Sequence, residues 1–275
     1  MNHYVALEDL KERIDVTGTS DDATLFDYIE AASREIDAHT QRHFYVTSAT
    51  KYLTPDGAGH VLFDDDCLSI SALTTDSELD GTYDGETWTE DTDFWLVPYN
   101  SFPKHRAELT HEGAYSFANS RRYVKIVGQW GYGDGLSATP YTTSAETTTG
   151  THNATVTTLN VTTGGILKAG QTLRIGSEQL FVSAVNGTAN TVRRAVNGTT
   201  AAVSITTGAA IAVYEYPRVI SRACAILATT YYKERGLNSA MQQERIGDYF
   251  YARAQQEFRS AMGHQLAPFT RMEAA

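Results

Sequence analysis

Between Tyr52 and Pro103 the chain has no lysine and no arginine. Twelve carboxylates fall in that window: Asp56, Asp64, Asp65, Asp66, Asp76, Glu78, Asp80, Asp84, Glu86, Glu90, Asp91 and Asp93. The chain as a whole carries −11, so everything outside the window sums to +1. Such a segment repels a nucleic-acid backbone instead of gripping it. It reads either as a solvated acidic face or as a surface past which DNA must slide. Cysteine is scarce too. Cys67 and Cys224 are too few for a disulfide framework and read as small buried apolar residues of a chain folded in a reducing cytosol. No run of about 18 apolar residues occurs, so no membrane-spanning helix is expected. The first residues lead into a charged amphipathic segment, which reads as the absence of a signal peptide.

The spacings that carry chemistry are missing as well. The eight histidines are scattered, with no HExxH, HxH or CxxC pattern, and there is no GxSxG elbow. Gly128, Gly131, Gly133 and Gly135 leave a strand without the Gly-Lys-Ser/Thr that a phosphate loop needs. The run Asp76–Asp84 has acids at alternate positions and Gly81 at the sixth. Its twelfth position is Thr87, not a bidentate glutamate, so it reads as an acidic hairpin and not a calcium loop. The four Asn-x-Thr sequons follow from threonine richness in a chain without a signal peptide. No enzyme, metal site or cofactor is expected.

What is present is pattern. Hydrophobic content of 41% and charged content of 20% are those of a globular chain. Leu7, Leu10 and Ile14 share one face of a short helix over 5–16. Thr17-Gly18-Thr19 breaks it, and Ser20 is placed to cap a second helix over 20–40, with Asp21 and Asp22 in its first turn. Leu25, Ile29, Ala32 and Ile36 form its apolar stripe. From 44 to 133 short β-branched and aromatic runs read as strands (Val46–Leu53, Val61–Phe63, Leu68–Leu73, Phe94–Val97, Tyr123–Trp130), with Asp-Gly turns between several of them. Residues 137–151 read as a polar, threonine-rich linker. Beyond it, Val156–Val161, Thr172–Ile175, Leu180–Val185, Thr191–Val196 and Ile211–Tyr214 read as strands of a small all-β module. Pro217 suits the first position of a helix over 217–235, with Ile220, Ala223, Cys224, Leu227 and Tyr231 as its stripe and Gly236 as its stop. Asp248 can open a last helix over 248–262.

The expected class is therefore α+β. It combines a helical bundle made from the N- and C-terminal helices, a central β-hairpin region, and an inserted small all-β domain that projects from the bundle. Residues 1–135 and 216–275 form a discontinuous core and 136–215 the threonine- and glycine-rich insert. The helix of Pro217 should pack on the helix of Leu25, Ile29 and Ile36.

Taken in order, three stretches resemble the head–tail connector (adaptor) family of tailed bacteriophages. The first is YVALEDLKERI followed by LFDYIEAASREIDAHTQRHF. The second is Val124-Lys125-Ile126-Val127-Gly128-Gln129-Trp130-Gly131-Tyr132-Gly133. The third comprises Pro217, Arg222-Ala223, Leu227-Ala228, the YYKER run and Ile246-Gly247-Asp248-Tyr249. The resemblance covers about 4–135 and 216–262, and the insert departs from the family pattern. It implies a structural virion protein of the neck, synthesised in the host cytoplasm. A homo-oligomeric ring, usually of twelve copies, would sit between the portal protein and a tail, stopper or tail-terminator protein. The genome would pass through without specific binding, and no membrane would be involved. The insert would touch the capsid, the tail or a neighbour.

On that reading Asp64, Asp65, Asp66, Asp76, Glu78, Asp80, Asp84 and Glu86 are candidates for an acidic lumen. Arg245, Tyr249, Tyr251, Arg253, Phe258, Phe269 and Arg271 are candidates for a portal or subunit interface, since Tyr and Arg anchor such surfaces. The tail from Gly263 to Ala275 would dock on that partner. The rival readings are a receptor-binding adhesin built on the β module and an enzyme whose site has no recognisable signature.

Overall fold

The computed structural model describes residues 2–85, 87–111, 115–235, 243–246, 249–252 and 263–271. Helix α1 (Leu7–Arg13) buries Leu7 and Leu10. Helix α2 (Asp22–Thr40) buries Leu25, Ile29, Ala32 and Ile36 completely, the stripe set by their spacing. Asp21, not Ser20, stands at its N-cap and makes no capping bond; its carboxylate takes the Tyr232 hydroxyl and Arg235 instead. Gln41, in a left-handed conformation, ends the helix.

A five-stranded antiparallel sheet follows, built from β1 (Thr47–Leu53), β2 (His60–Thr75), β3 (Phe94–Val97), β4 (Lys104–Leu109) and β5 (Val124–Trp130) in the order β1-β5-β2-β4-β3. The expected strands at 61–63 and 68–73 are one continuous strand. Asp64–Asp66 do not break it but form a register shift between Leu62 and Cys67 against β4. Strand β4, KHRAEL, gives no apolar alternation in sequence, yet it buries Ala107 and the Lys104 side chain.

The second sheet takes β6 (Tyr141–Thr147), β8 (Thr158–Asn160), β9 (Thr172–Ile175), β10 (Glu178–Asn186), β11 (Ala189–Arg193) and β13 (Ala210–Tyr214). Their order is β6-β13-β9-β10-β11-β8. A small separate pair joins β7 (His152–Asn153) to β12 (Ser204–Ile205). The stretch expected to be a linker is thus an edge strand, held by pairing with β13 despite its polar, threonine-rich sequence. The sheet has its own core, with Leu173, Leu180, Val182 and Ile211 buried.

Helix α3 (Arg218–Glu234) returns the chain to α2, with Pro217 one position outside as its N-cap. Ile220, Ala223, Cys224, Leu227 and Ala228 share one core with Leu25, Ile29, Ala32 and Ile36. Ser33 Oγ and Cys224 Sγ lie 3.4 Å apart across it. This is the contact expected from the sequence.

The helical bundle is not there. The described residues are mostly β, and the helices form one small layer beside two sheets. Part of the expected last helix is a strand: β15 (Tyr249–Ala252) pairs with β14 (Gln243–Ile246), while 253–262 and Gly236 lie outside the described residues. The apolar stripes of α2 and α3 are covered by Tyr4, Phe44 and Ala169 from loops and by Leu266 at the end of a single helical turn over 263–266.

Nor does the second sheet stand off. Leu7 N donates to Ala169 O at 2.9 Å, and Ser48 N donates to Asn197 O at 2.8 Å. Side-chain amides run in series: Asn2 Nδ2 donates to Asn197 Oδ1, Asn197 Nδ2 to Gln179 Oε1, and Gln179 Nε2 to Val46 O, at 2.8 to 3.0 Å. Phe181 packs edge-on to both His3 and Phe26.

Candidate functional site

The acidic window does not form one surface. Asp66 lies near the middle of β2 and Asp76 just past its end, ten residues of extended chain apart, or about 30 Å. Each end has its own chemistry.

At the Asp64–Asp66 bulge the charge is largely answered. Arg42 Nη1 lies 2.8 Å from both oxygens of Asp66, which is buried, and its guanidinium sits over the Tyr132 ring. Burial pushes the Asp66 carboxyl above its ordinary value; Arg42 and Arg271 oppose that shift. His105 Nδ1 is 3.7 Å away, and burial lowers its pKa. Lys51 Nζ reaches Asp64 at 2.8 Å and Asp65 at 3.2 Å, and it also lies over the Trp130 ring. Arg42 and Lys51 come from just outside the cation-free window, and register brings them in. The pairing of Thr50 and Lys51 with Val127 and Ile126 sets Lys51 on the sheet beside the bulge.

Arg271 enters the same place. Its guanidinium donates to Asp64 O at 2.6 Å and Phe63 O at 2.7 Å, and its amide donates to Thr40 O at 2.9 Å. Phe269 packs against Phe44 and Tyr132, and Leu266 is buried. Two of the candidate interface residues thus hold the tail onto its own chain. Arg245, Tyr249 and Tyr251 fall in the β14–β15 hairpin. Arg253 and Phe258 lie outside the described residues.

At the other end, Asp76, Glu78, Asp80 and Asp84 belong to the loop after β2; Glu86 lies outside the described residues. Asp76 is a builder of this loop and not a surface charge. It is buried, and its two oxygens accept the amides of Asp80 and Gly81 at 3.0 Å. The Thr82 amide and hydroxyl hold the Asp80 carboxyl below its ordinary value. Tyr83 stacks at a tilt on Tyr52, whose ring lies beneath Arg122, and donates to Arg122 O. Glu78, Asp80 and Asp84 are exposed on this anchored loop, with no ion pair to a lysine or arginine among the described residues.

Among the described residues no group of three His, Cys, Asp or Glu side chains could hold a metal ion, and no helix is long and apolar enough to cross a membrane.

No family model matches the chain, and no curated protein does. A solved structure described as "Neck of empty GTA particle computed with C6 symmetry" is similar at 18% identity and a TM-score of 0.32. The similarity covers 49% of this chain and 68% of that one.

Proposed function

We propose that the chain is a structural protein of a virion neck, one copy of a head–tail connector ring joining portal to tail around a channel for the genome. One observation carries this reading. The stretches that resemble the connector family are far apart in sequence, yet they meet in a single core: Leu25, Ile29 and Phe44 from the first, Tyr132 from the second, and Ala223, Leu227 and Ala228 from the third. The ends of the inserted segment lie side by side, with Glu215 N donating to Pro140 O at 2.9 Å. A core shared by all three stretches is what an insertion into a connector subunit would leave intact.

On this reading the channel wall carries the loop of Glu78, Asp80 and Asp84, whose charges have no lysine or arginine partner among the described residues. Like charge there keeps DNA from sticking during packaging and ejection. The Asp64–Asp66 bulge is a fastening for the tail instead. Neutralising Glu78→Gln, Asp80→Asn and Asp84→Asn together tests the assignment in assembled particles. DNA ejection should slow, most at low ionic strength where surface charge is least screened. Ejection unchanged across salt concentrations would remove the loop from the channel.

A further inference from the structure

A cleft of about 530 Å³ opens beside β3, lined by Glu90, Asp91, Trp95, Tyr99, Asn100 and Lys104. It lies away from the core described above and has no part in the neck reading. Its volume falls within the range of small-molecule sites. The walls are fixed by backbone. Asp91 N donates to Phe94 O at 2.9 Å, and Asp93 Oδ2 accepts Thr89 N at 2.7 Å, so the turn presenting Glu90 and Asp91 is tied to the strand. Trp95 stands perpendicular to Tyr99 at 6.2 Å, and His111 sits edge-on to it at 5.5 Å. Tyr99 is 57% exposed, and its hydroxyl donates to Glu108 at 2.8 Å, which holds the ring in place.

The floor decides the ligand class. Lys104 is buried, and its ammonium donates to Pro98 O at 2.6 Å and Tyr99 O at 3.0 Å. An ammonium has three donors; the third has only the face of Phe102, whose ring lies 4.5 Å from Nζ, until a ligand oxygen is offered. Burial pushes the Glu90 carboxyl up; Asp91 adds to that, and the Lys104 charge opposes it. An anion would meet two carboxylates here. A cation would meet a buried ammonium. A purely apolar ligand would strip water from the Glu90 and Asp91 carboxylates without replacing its hydrogen bonds. A ring with one apolar face and a rim of hydroxyls fits each feature. Its face lies on Trp95 or Tyr99, and its hydroxyls donate to Glu90 and Asp91 and accept from Lys104. We propose that this cleft binds a pyranose unit of a carbohydrate.

The test uses the full chain and four soluble probes: maltotetraose, cellotetraose, chitotetraose and mannotetraose. Trp88 and Trp130 are buried, which leaves Trp95 as the tryptophan whose fluorescence a surface ligand can change. Titration of at least one sugar should change that fluorescence and release heat at one site per chain. The Kd should be on the order of 1 mM, as expected for a single sugar ring. Trp95→Ala should weaken binding about tenfold or more. Glu90→Gln, at an exposed position that should not affect folding, should weaken it too, as read by calorimetry. The affinity should not fall with added salt. Heat from none of the four sugars would overturn the proposal, as would binding that survives both substitutions. So would salt-sensitive binding of tetralysine with no sugar binding, which would assign the cleft to a cationic partner.

Discussion

Asp37 is the residue whose titration should be felt by the whole fold. It accepts the Tyr4 hydroxyl and pairs with Arg34 at 2.9 Å. Burial raises it from 3.8 to about 6, against the pull of Tyr4 and Arg34. A carboxyl raised in the folded state binds its proton more tightly there than in the unfolded chain. Its contribution is therefore fully present below about pH 4 and is lost as pH rises through about 6, a change on the order of 2 to 3 kcal/mol. Urea unfolding across that window should show the slope, and Asp37→Asn should flatten it; an unchanged slope would locate the titration elsewhere. Glu178 behaves in the opposite way. Burial pushes its carboxyl up, but Arg194 and the amides of Ala202 and Ala195 outweigh that and hold it below its ordinary value. The pair is buried, with Arg194 Nε at 2.6 Å and Nη2 at 2.7 Å. Glu178→Gln strands the guanidinium and should cost about 3 to 5 kcal/mol by chemical denaturation, whereas Glu178→Leu with Arg194→Met should recover most of that loss.

At the scale of elements, the tail and the second sheet are held by specific fastenings. Leu266, Phe269 and Arg271 clasp the tail to Phe44, Tyr132 and the Phe63–Asp64 carbonyls. Removing 263–275 should therefore lower the chain's own melting temperature by several degrees, a loss of about 1 to 3 kcal/mol. An unchanged melting curve would mean that the clasp contributes nothing. Gly198 has a left-handed φ of 76°, and a Cβ there would come within 2.1 Å of Ser48 O. Gly198→Ala should force the 197–199 loop off β1 and speed amide exchange in β1 while leaving α3 protected. The sequence made the helical elements readable because Leu25 to Ile36 and Ile220 to Tyr231 repeat with one period each. It did not make β4 or β6 readable, since KHRAEL and YTTSAET owe their strand conformation to partners distant in the chain. The aromatic run Tyr249-Phe250-Tyr251 fits a strand as readily as a helix face, and pairing with 243–246 decided it.

For the whole molecule, reading four helices as a bundle failed because two sheets carry most of the described residues, and loop residues Tyr4, Phe44 and Ala169 share the core of α2 and α3. The acidic window was legible as composition but not as a surface. Counter-charges from Arg42, Lys51 and Arg271 reach one end of it only through the fold, and the other end keeps Glu78, Asp80 and Asp84 exposed. What the sequence made legible is the joint, where α2, the loop of Tyr132 and α3 share one core. The claim that rests on that joint is assembly into a neck ring. Native mass determination of the full chain, alone and mixed with the portal protein of the same virion, tests it most directly. The account predicts a closed ring, of twelve copies if the family pattern holds, formed alone or on the portal; a monomer in both preparations would contradict it.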